Sequence, residues 1–190
     1  MMHGIGRVFT YIGIAFILLA LGISVKVDYE DYKAGVDSSN ALATLNDVVL
    51  DNNNVEVQET NKIKNIDGFD YYGIIALPSI NIELPLLSTW SYDNLKKGAN
   101  IYYGSIEGNN LVICGHSYRL HFKYLSKLEN GSNIVITDLN GNNYIYEVVE
   151  KVVIDPYETV EVIETGYDLV IFSCYNSGTQ RMVIHANRIN

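Results

Sequence analysis

Cys174 follows one apolar run, and Arg181 opens another seven residues later. Leu169 to Phe172 and Met182 to Ala186 read as two buried strands, and Asn176, Ser177 and Gly178 between them are turn formers. Folded as a hairpin, the stretch from Asp168 to Arg188 brings a thiol and a guanidinium to the same end of a sheet. A nearby cation favours the thiolate, which is the nucleophilic form. A guanidinium can also bind an oxyanion as it develops. A plainer arrangement fits this stretch equally well: a buried structural cysteine beside a surface arginine.

A thiol nucleophile needs a partner that handles protons. The chain has four histidines. His3 precedes an apolar N-terminal segment and cannot join a site beyond it. His116 follows directly on the apolar strand Val112-Ile113-Cys114-Gly115, where a strand hands a side chain to a rim. His121 sits at a helix start and reads as a surface or capping residue. His185 shares the strand of Arg181, but at i+4 it lies about 13 Å along and reads as a surface residue. Arg119 and Arg188 compete with Arg181 for the cation role, and spacing leaves that choice open.

The rest of the chain must position these groups. Its 190 residues have room for one membrane element and one compact domain. A formal net charge of −9 argues against nucleic acid as a partner. Two cysteines, Cys114 and Cys174, do not make a disulfide scaffold. Val8 to Val25 is uncharged; as a helix it would reach about 27 Å, close to a bilayer core of roughly 30 Å. Residues 1–27 therefore read as a single-pass membrane anchor with the remainder outside the cell. A cleaved signal peptide, with Ala20-Leu21-Gly22 as the cleavage site, is the rival reading. Residues 28–68 carry nine acidic residues against three lysines. They read as a solvated spacer, with one possible helix over Ser38–Leu50 that gathers Ala41, Leu42, Leu45, Val48 and Val49 on one face.

From Phe69 strand signals dominate, and residues 69–190 read as the catalytic domain. Gly73–Leu77 is apolar. Ile80, Ile82, Leu84 and Leu86 alternate with polar residues and Pro85, a half-buried strand. Pro78 and Pro85 suggest strand ends or edges. Ser91–Lys97 reads as a helical turn and Leu120–Leu128 has helical spacing. Asn133–Asp138 and Tyr144–Ile154 flank Asn140-Gly141, a strong hairpin signal. Asp155 to Tyr167 is an acidic loop. Seven or eight short strands with few helices indicate an all-β sandwich or closed barrel.

Three blocks in this order, Gly115-His116-Ser117-Tyr118-Arg119, Phe172-Ser173-Cys174 and Arg181-Met182-Val183-Ile184, closely resemble the motifs of the sortases, membrane-anchored transpeptidases of Gram-positive bacteria. Gly73 to Ile80, Phe122 to Leu128 and Val135 to Asp138 look familial as well, so the resemblance covers about Tyr72 to Asn187. Ser173 departs from the threonine usual before the family's cysteine, but it keeps a hydroxyl. The resemblance implies a closed eight-stranded β-barrel with short helices, preceded by one transmembrane helix. It also implies that Cys174 attacks the Thr–Gly carbonyl of an LPxTG-like sorting signal. His116 would protonate the leaving amine, and Arg181 would bind the oxyanion. A peptidoglycan-precursor or pilin amine would resolve the thioester. Ser173, Val160, Val162 and Ile163 are the expected substrate contacts. The chain looks most like class D or a related small sortase. No cofactor is implied, although some relatives bind calcium through loop carboxylates; here the earlier loop offers only Glu107. Cys114, two residues before His116 and on the same side of its strand, reads as a small buried residue. A sharper hypothesis is a reversible disulfide with Cys174. Two other function classes stay open: an inactive membrane-tethered β-barrel binding module, and a peptidase that uses water as acceptor.

Overall fold

In the computed structural model, residues 2–53, 63–158, 160–163 and 165–190 are described. Helix α1 spans Met2–Asn53, and contacts divide the chain into two units, Met1–Lys33 and Ala34–Asn190. In the first unit apolar side chains such as Phe9, Ile14, Phe16, Leu18 and Ile23 stand exposed all round the helix. Such a helix has no polar face to give to water and suits a lipid surround. It is long and apolar enough to cross a membrane.

In the second unit α1 continues with a buried stripe of Ala34, Ser38, Ala41 and Leu45, spaced four, three and four residues apart. The expected helix over Ser38–Leu50 is therefore only part of a longer one, and one face of Ala34–Leu45 is packed rather than part of a solvated tether. Ala41 and Leu45 cluster with Tyr71, Ile74, Leu87 and Leu139. A leucine buried as completely as Leu45 contributes on the order of 2 kcal/mol. This offsets the weak helix propensity of Gly35, Ser38, Ser39 and Asn40.

Among the described residues nine strands follow: β1 (Lys64–Ile66), β2 (Phe69–Leu77), β3 (Ile82–Leu87), β4 (Ala99–Tyr103), β5 (Leu111–Gly115), β6 (Asn133–Asp138), β7 (Asn143–Ile154), β8 (Leu169–Tyr175) and β9 (Gln180–Arg188). Their order is β1-β2-β3-β4-β5-β8-β9-β7-β6, and β2 also pairs with β6. That last pairing closes β2 to β9 into an eight-stranded barrel and leaves β1 as a short flap on β2. Closure leaves no open edge in the ring. Pro85 lies inside β3 rather than at its end. It is tolerated there because β4 pairs only with Leu86 and Leu87, so the Pro85 nitrogen has no ladder to serve.

Strand alternation separates two apolar layers. Inside the barrel Leu169, Ile171, Met182, Ile184 and Ala186 meet Ile75, Ile113, Ile136 and Tyr146, with Phe122, Leu125 and Leu128 as a plug. On the outer wall Val112, Val170 and Val183 pack with Ile154 of β7 and with Val162 of the short helix α2 (Val160–Ile163). The loop between β7 and β8 is thus held down on the outer wall.

Candidate active site

The alternation that buries Leu169 and Ile171 turns Val170, Phe172 and Cys174 outward. Antiparallel pairing of β8 with β9 sets Cys174 directly opposite Arg181. The connecting turn can be this tight because Asn176, Ser177 and Gly178 all adopt positive φ. The Asn176 amide also donates to the Gln180 side-chain oxygen across it. Arg181 Nη1 donates to the carbonyls of Gly178 (3.2 Å) and Gln180 (3.1 Å), which tethers the guanidinium over the turn that follows the thiol.

Cys174 and Arg181 both line a cleft of about 230 Å³. Arg181 is the one basic residue among the described lining residues; Arg119 lines a different groove and Arg188 lies over the Tyr144 ring. One wall is aromatic. Trp90 packs on Tyr92 (5.9 Å between ring centroids) and Tyr102 (5.6 Å), and Tyr102 meets Phe172 edge-on at 5.2 Å. Asp155, Pro156, Glu158 and Val162 also line the cleft. None of the four aromatic residues stood out in the sequence as a site residue. Trp90, the only tryptophan in the chain, was the available signal, and Tyr102 lies on β4, a strand with no clear alternation.

Cys114 lines the same cleft. Burial, reinforced by the nearby Cys174, pushes its thiol up to about 12. At neutral pH Cys114 is therefore a protonated, poorly nucleophilic thiol. Both cysteines are free. In the parallel β5–β8 ladder Cys114 is opposite Phe172, two residues short of Cys174. Strand spacing and rise put their Cα atoms about 8 Å apart, beyond the reach of a disulfide without backbone movement. Cys114 is the small buried residue expected, and the alternative of a redox pairing with Cys174 does not fit this register.

His116 follows the last registered pair of that ladder, Gly115 with Ser173. It therefore leaves β5 beside the residue where β8 reaches Cys174, although it is not among the residues lining the cleft. Its ring stacks on Tyr118 at 4.3 Å and 23°. Its carbonyl accepts the Phe122 N–H at 3.0 Å, folding the loop back on itself. Glycine is required before it: a Cβ on Gly115 would stand 2.4 Å from a ring carbon of buried Phe122. The other two barrel histidines are not surface residues. His121 is fully buried beneath α1, with Nε2 2.8 Å from Ser38 Oγ. His185 is buried under the Tyr167 ring (4.6 Å, 9°), with Nδ1 3.6 Å from a Glu150 carboxylate oxygen. Elements far away in sequence cover both, which their local sequence did not reveal.

The expected substrate contacts divide. Ser173 lines the cleft, but its buried hydroxyl donates to Gly115 O at 2.9 Å and joins β8 to β5. Val162 lines the cleft and is 6% exposed. Ile163 is half-buried and outside the described lining, and the Val160 side chain lies outside the described residues. Among the described residues no group of three or more His, Cys, Asp or Glu could hold a metal ion. Glu107 faces Tyr72, Tyr144 and Asp138 in a separate pocket. There the Asp138 carboxylate accepts from Asn140 N, Asn142 N, Asn142 Nδ2 and Tyr144 OH.

A sequence model of the sortase domain family matches residues 75–189. The chain belongs to the sortase family. Sortase D of Bacillus subtilis (strain 168) is 27% identical over 127 residues, 62% of this chain and 63% of that protein, so the match spans a little under two thirds of that relative. Sortase A of Bacillus anthracis is 24% identical over 172 residues, covering 82% of this chain and 81% of its own. Among solved structures, sortase C1 of Streptococcus agalactiae superposes with a TM-score of 0.56 at 25% identity, over 66% of this chain and 71% of its own. A sortase D5 transpeptidase of Clostridium perfringens superposes with a TM-score of 0.65 at 23% identity, over 82% and 99%. The eight-stranded closed barrel expected from the motifs is the fold observed, and class C and class D sortases both share it.

Proposed function

We propose that this sortase is a membrane-anchored cysteine transpeptidase that cleaves an LPxTG-like sorting signal and joins the released carboxyl end to a cell-wall or pilin amine. The observation that carries the reading is the registered pair of Cys174 and Arg181 at an aromatic-walled cleft, with His116 leaving the neighbouring parallel strand. Residues 1–27 anchor the chain with its barrel outside the cell. The Cys174 thiolate attacks the Thr–Gly carbonyl, and the carbonyl electron pair moves to oxygen, where the Arg181 guanidinium offsets the charge. Collapse breaks the C–N bond as His116 gives its proton to the leaving amine. A thioester remains. The incoming amine attacks it, His116 takes the amine proton, and the Cys174 thiolate leaves. Asp155, next to the Ile154 that pairs with Arg181, and Glu158 add negative charge to the cleft lining, which suits the approach of an ammonium group from solvent. Val162 and Phe172 give the cleft apolar surface for the signal's aliphatic residues.

The test uses the full chain in detergent micelles, because Ala41, Leu45 and Val48 of α1 pack with the barrel. Quenched LPxTG-like peptides are offered with and without an amine acceptor. Cleavage abolished by Cys174→Ala, with an amine-dependent ligated product by mass, supports transpeptidation. Cleavage without ligation across a panel of amines means a peptidase. No cleavage and no labelling of Cys174 by a thiol-reactive peptide mimic would leave a binding module.

A further inference from the structure

Helix α1 touches the loop that carries His116, and it does so through polar groups that face inward. Ser38 is 3% exposed and His121 0%. Ser38 Oγ donates to the Lys97 carbonyl at 2.8 Å and lies 2.8 Å from His121 Nε2. A serine hydroxyl has one hydrogen. With that hydrogen committed to Lys97 O, Ser38 Oγ accepts, and His121 Nε2 carries the proton. One contact thus fixes both the tautomer and the ring plane of His121.

The His121 ring meets Tyr118 edge-on at 5.5 Å and 68°. Tyr118 in turn lies face to face with His116 at 4.3 Å. The His121 N–H donates to Tyr118 O at 3.0 Å, so backbone and rings are braced together. Two further contacts hold the helix against this region. Asp37, adjacent to Ser38, accepts from Lys97 Nζ at 2.7 Å. Gly35 lets Leu120 of the same loop approach until its Cδ1 is 2.6 Å from where a Cβ would stand.

We propose that Ser38, His121 and Tyr118 are positioning residues for His116, a train in which helix α1 fixes His121, His121 braces Tyr118, and Tyr118 sets the plane of the His116 ring. This rests on the reading of His116 as the proton-transfer group. A general acid must hold its N–H within hydrogen-bond reach of the leaving nitrogen, and a ring clamped on one face samples fewer wrong orientations. The stretch of α1 around Ser38 therefore acts together with the histidine loop.

The test uses the full chain in micelles and reads kcat, KM and the pH profile of peptide cleavage. His116→Ala comes first. If it retains activity, the proton-transfer reading fails and the positioning role falls with it. If it is inactive, the train is tested alone. Tyr118→Leu should lower kcat about tenfold with KM within twofold, the pattern of an interaction needed in the transition state, and should move a limb of the pH profile. Tyr118→Phe, which keeps the ring, should restore kcat to within about twofold of the parent. Ser38→Ala should lower kcat about threefold and Ser38→Thr should restore it. Wild-type kcat and an unmoved pH profile in Tyr118→Leu and Ser38→Ala would overturn the proposal. A second measurement keeps it decidable if Tyr118→Leu does not fold. Imidazole 15N spectra of the parent should show His121 as the Nε2–H tautomer, and Ser38→Ala should shift the His116 ring signals. A Nδ1–H tautomer at His121, or His116 signals unmoved by Ser38→Ala, overturns it equally.

Discussion

The two cysteines share one cleft but should differ in reactivity by orders of magnitude, and Cys114 makes the difference measurable. Its side chain is 5% exposed and its thiol is pushed up to about 12 by burial. At pH 7.5 a thiol of that acidity is ionised in about three molecules per hundred thousand. An ordinary thiol near 8.5 is ionised in about one in ten. The reacting species is the thiolate, so ionisation alone slows Cys114 about three-thousandfold, and steric burial adds to that. The perturbation is Cys174→Ala, which leaves Cys114 as the only thiol and keeps burial, the larger cause of its raised value, while removing the smaller contribution of Cys174. The assay is iodoacetamide alkylation followed by intact mass, beside free cysteine, from pH 7 to pH 11. The rate at pH 7.5 should be at least about a thousandfold below free cysteine. It should then climb tenfold per pH unit without levelling off before pH 11. In the parent chain a single alkylation should map to Cys174. A rate within tenfold of free cysteine at pH 7.5, or a plateau by pH 9, would refute the reasoning. Cys114 would then be an accessible thiolate and a rival nucleophile.

Gly115→Ala drives a Cβ to 2.4 Å from the ring of buried Phe122. It should cost about 1–3 kcal/mol of stability, read as a lower urea midpoint, and should displace His116 enough to lower kcat; a parent-like midpoint and kcat would contradict the packing. Ser173→Ala removes a buried 2.9 Å hydrogen bond to Gly115 O, worth about 1–2 kcal/mol. Calorimetry should show the melting midpoint down by roughly 2–8 °C and Ser173→Thr close to the parent, whereas an unchanged midpoint in Ser173→Ala would remove the hydroxyl's bridging role.

The site strands were legible because each carries its own pattern. Leu169–Phe172 and Met182–Ile184 are unbroken apolar runs, the Asn-Ser-Gly turn between them is a local signal, and together they place Cys174 and Arg181 at the same end of a hairpin. His116 was legible for the same reason, since it ends the run from Leu111. What was missed depends on distant partners. The sequence Ala-Asn-Ile-Tyr-Tyr of β4 lacks a period of its own and becomes a strand because β5 pairs with it. The acidic segment after residue 28 looks like a tether by composition. Its stripe of Ala34, Ser38, Ala41 and Leu45 has meaning only once Tyr71, Ile74 and Leu87 form a surface to receive it. His121 and His185 resemble surface histidines until Ser38 and Tyr167 cover them. Short windows thus supplied the strands and the candidates Cys174, Arg181 and His116, while the preference for Arg181 over Arg119 and Arg188 and for a closed barrel over a sandwich came from the sortase resemblance; the aromatic wall and the helix's hold on the histidine loop lay beyond both.

The strand order has a consequence for when this protein becomes reactive. Both strands that carry Cys174 and Arg181 enter between β5 and β7, which precede them in the chain. During synthesis the thiol therefore appears after most of the wall is available, and β7 gains its β9 partner only once Gln180–Arg188 has emerged. A nascent or truncated polypeptide that stops short of this point has an open seam and no arginine beside its cysteine. Long-range pairings of this kind form late in folding. The seam between β5 and β7 is thereby closed, and the Cys174–Arg181 pair formed, only in a chain that has emerged through β9.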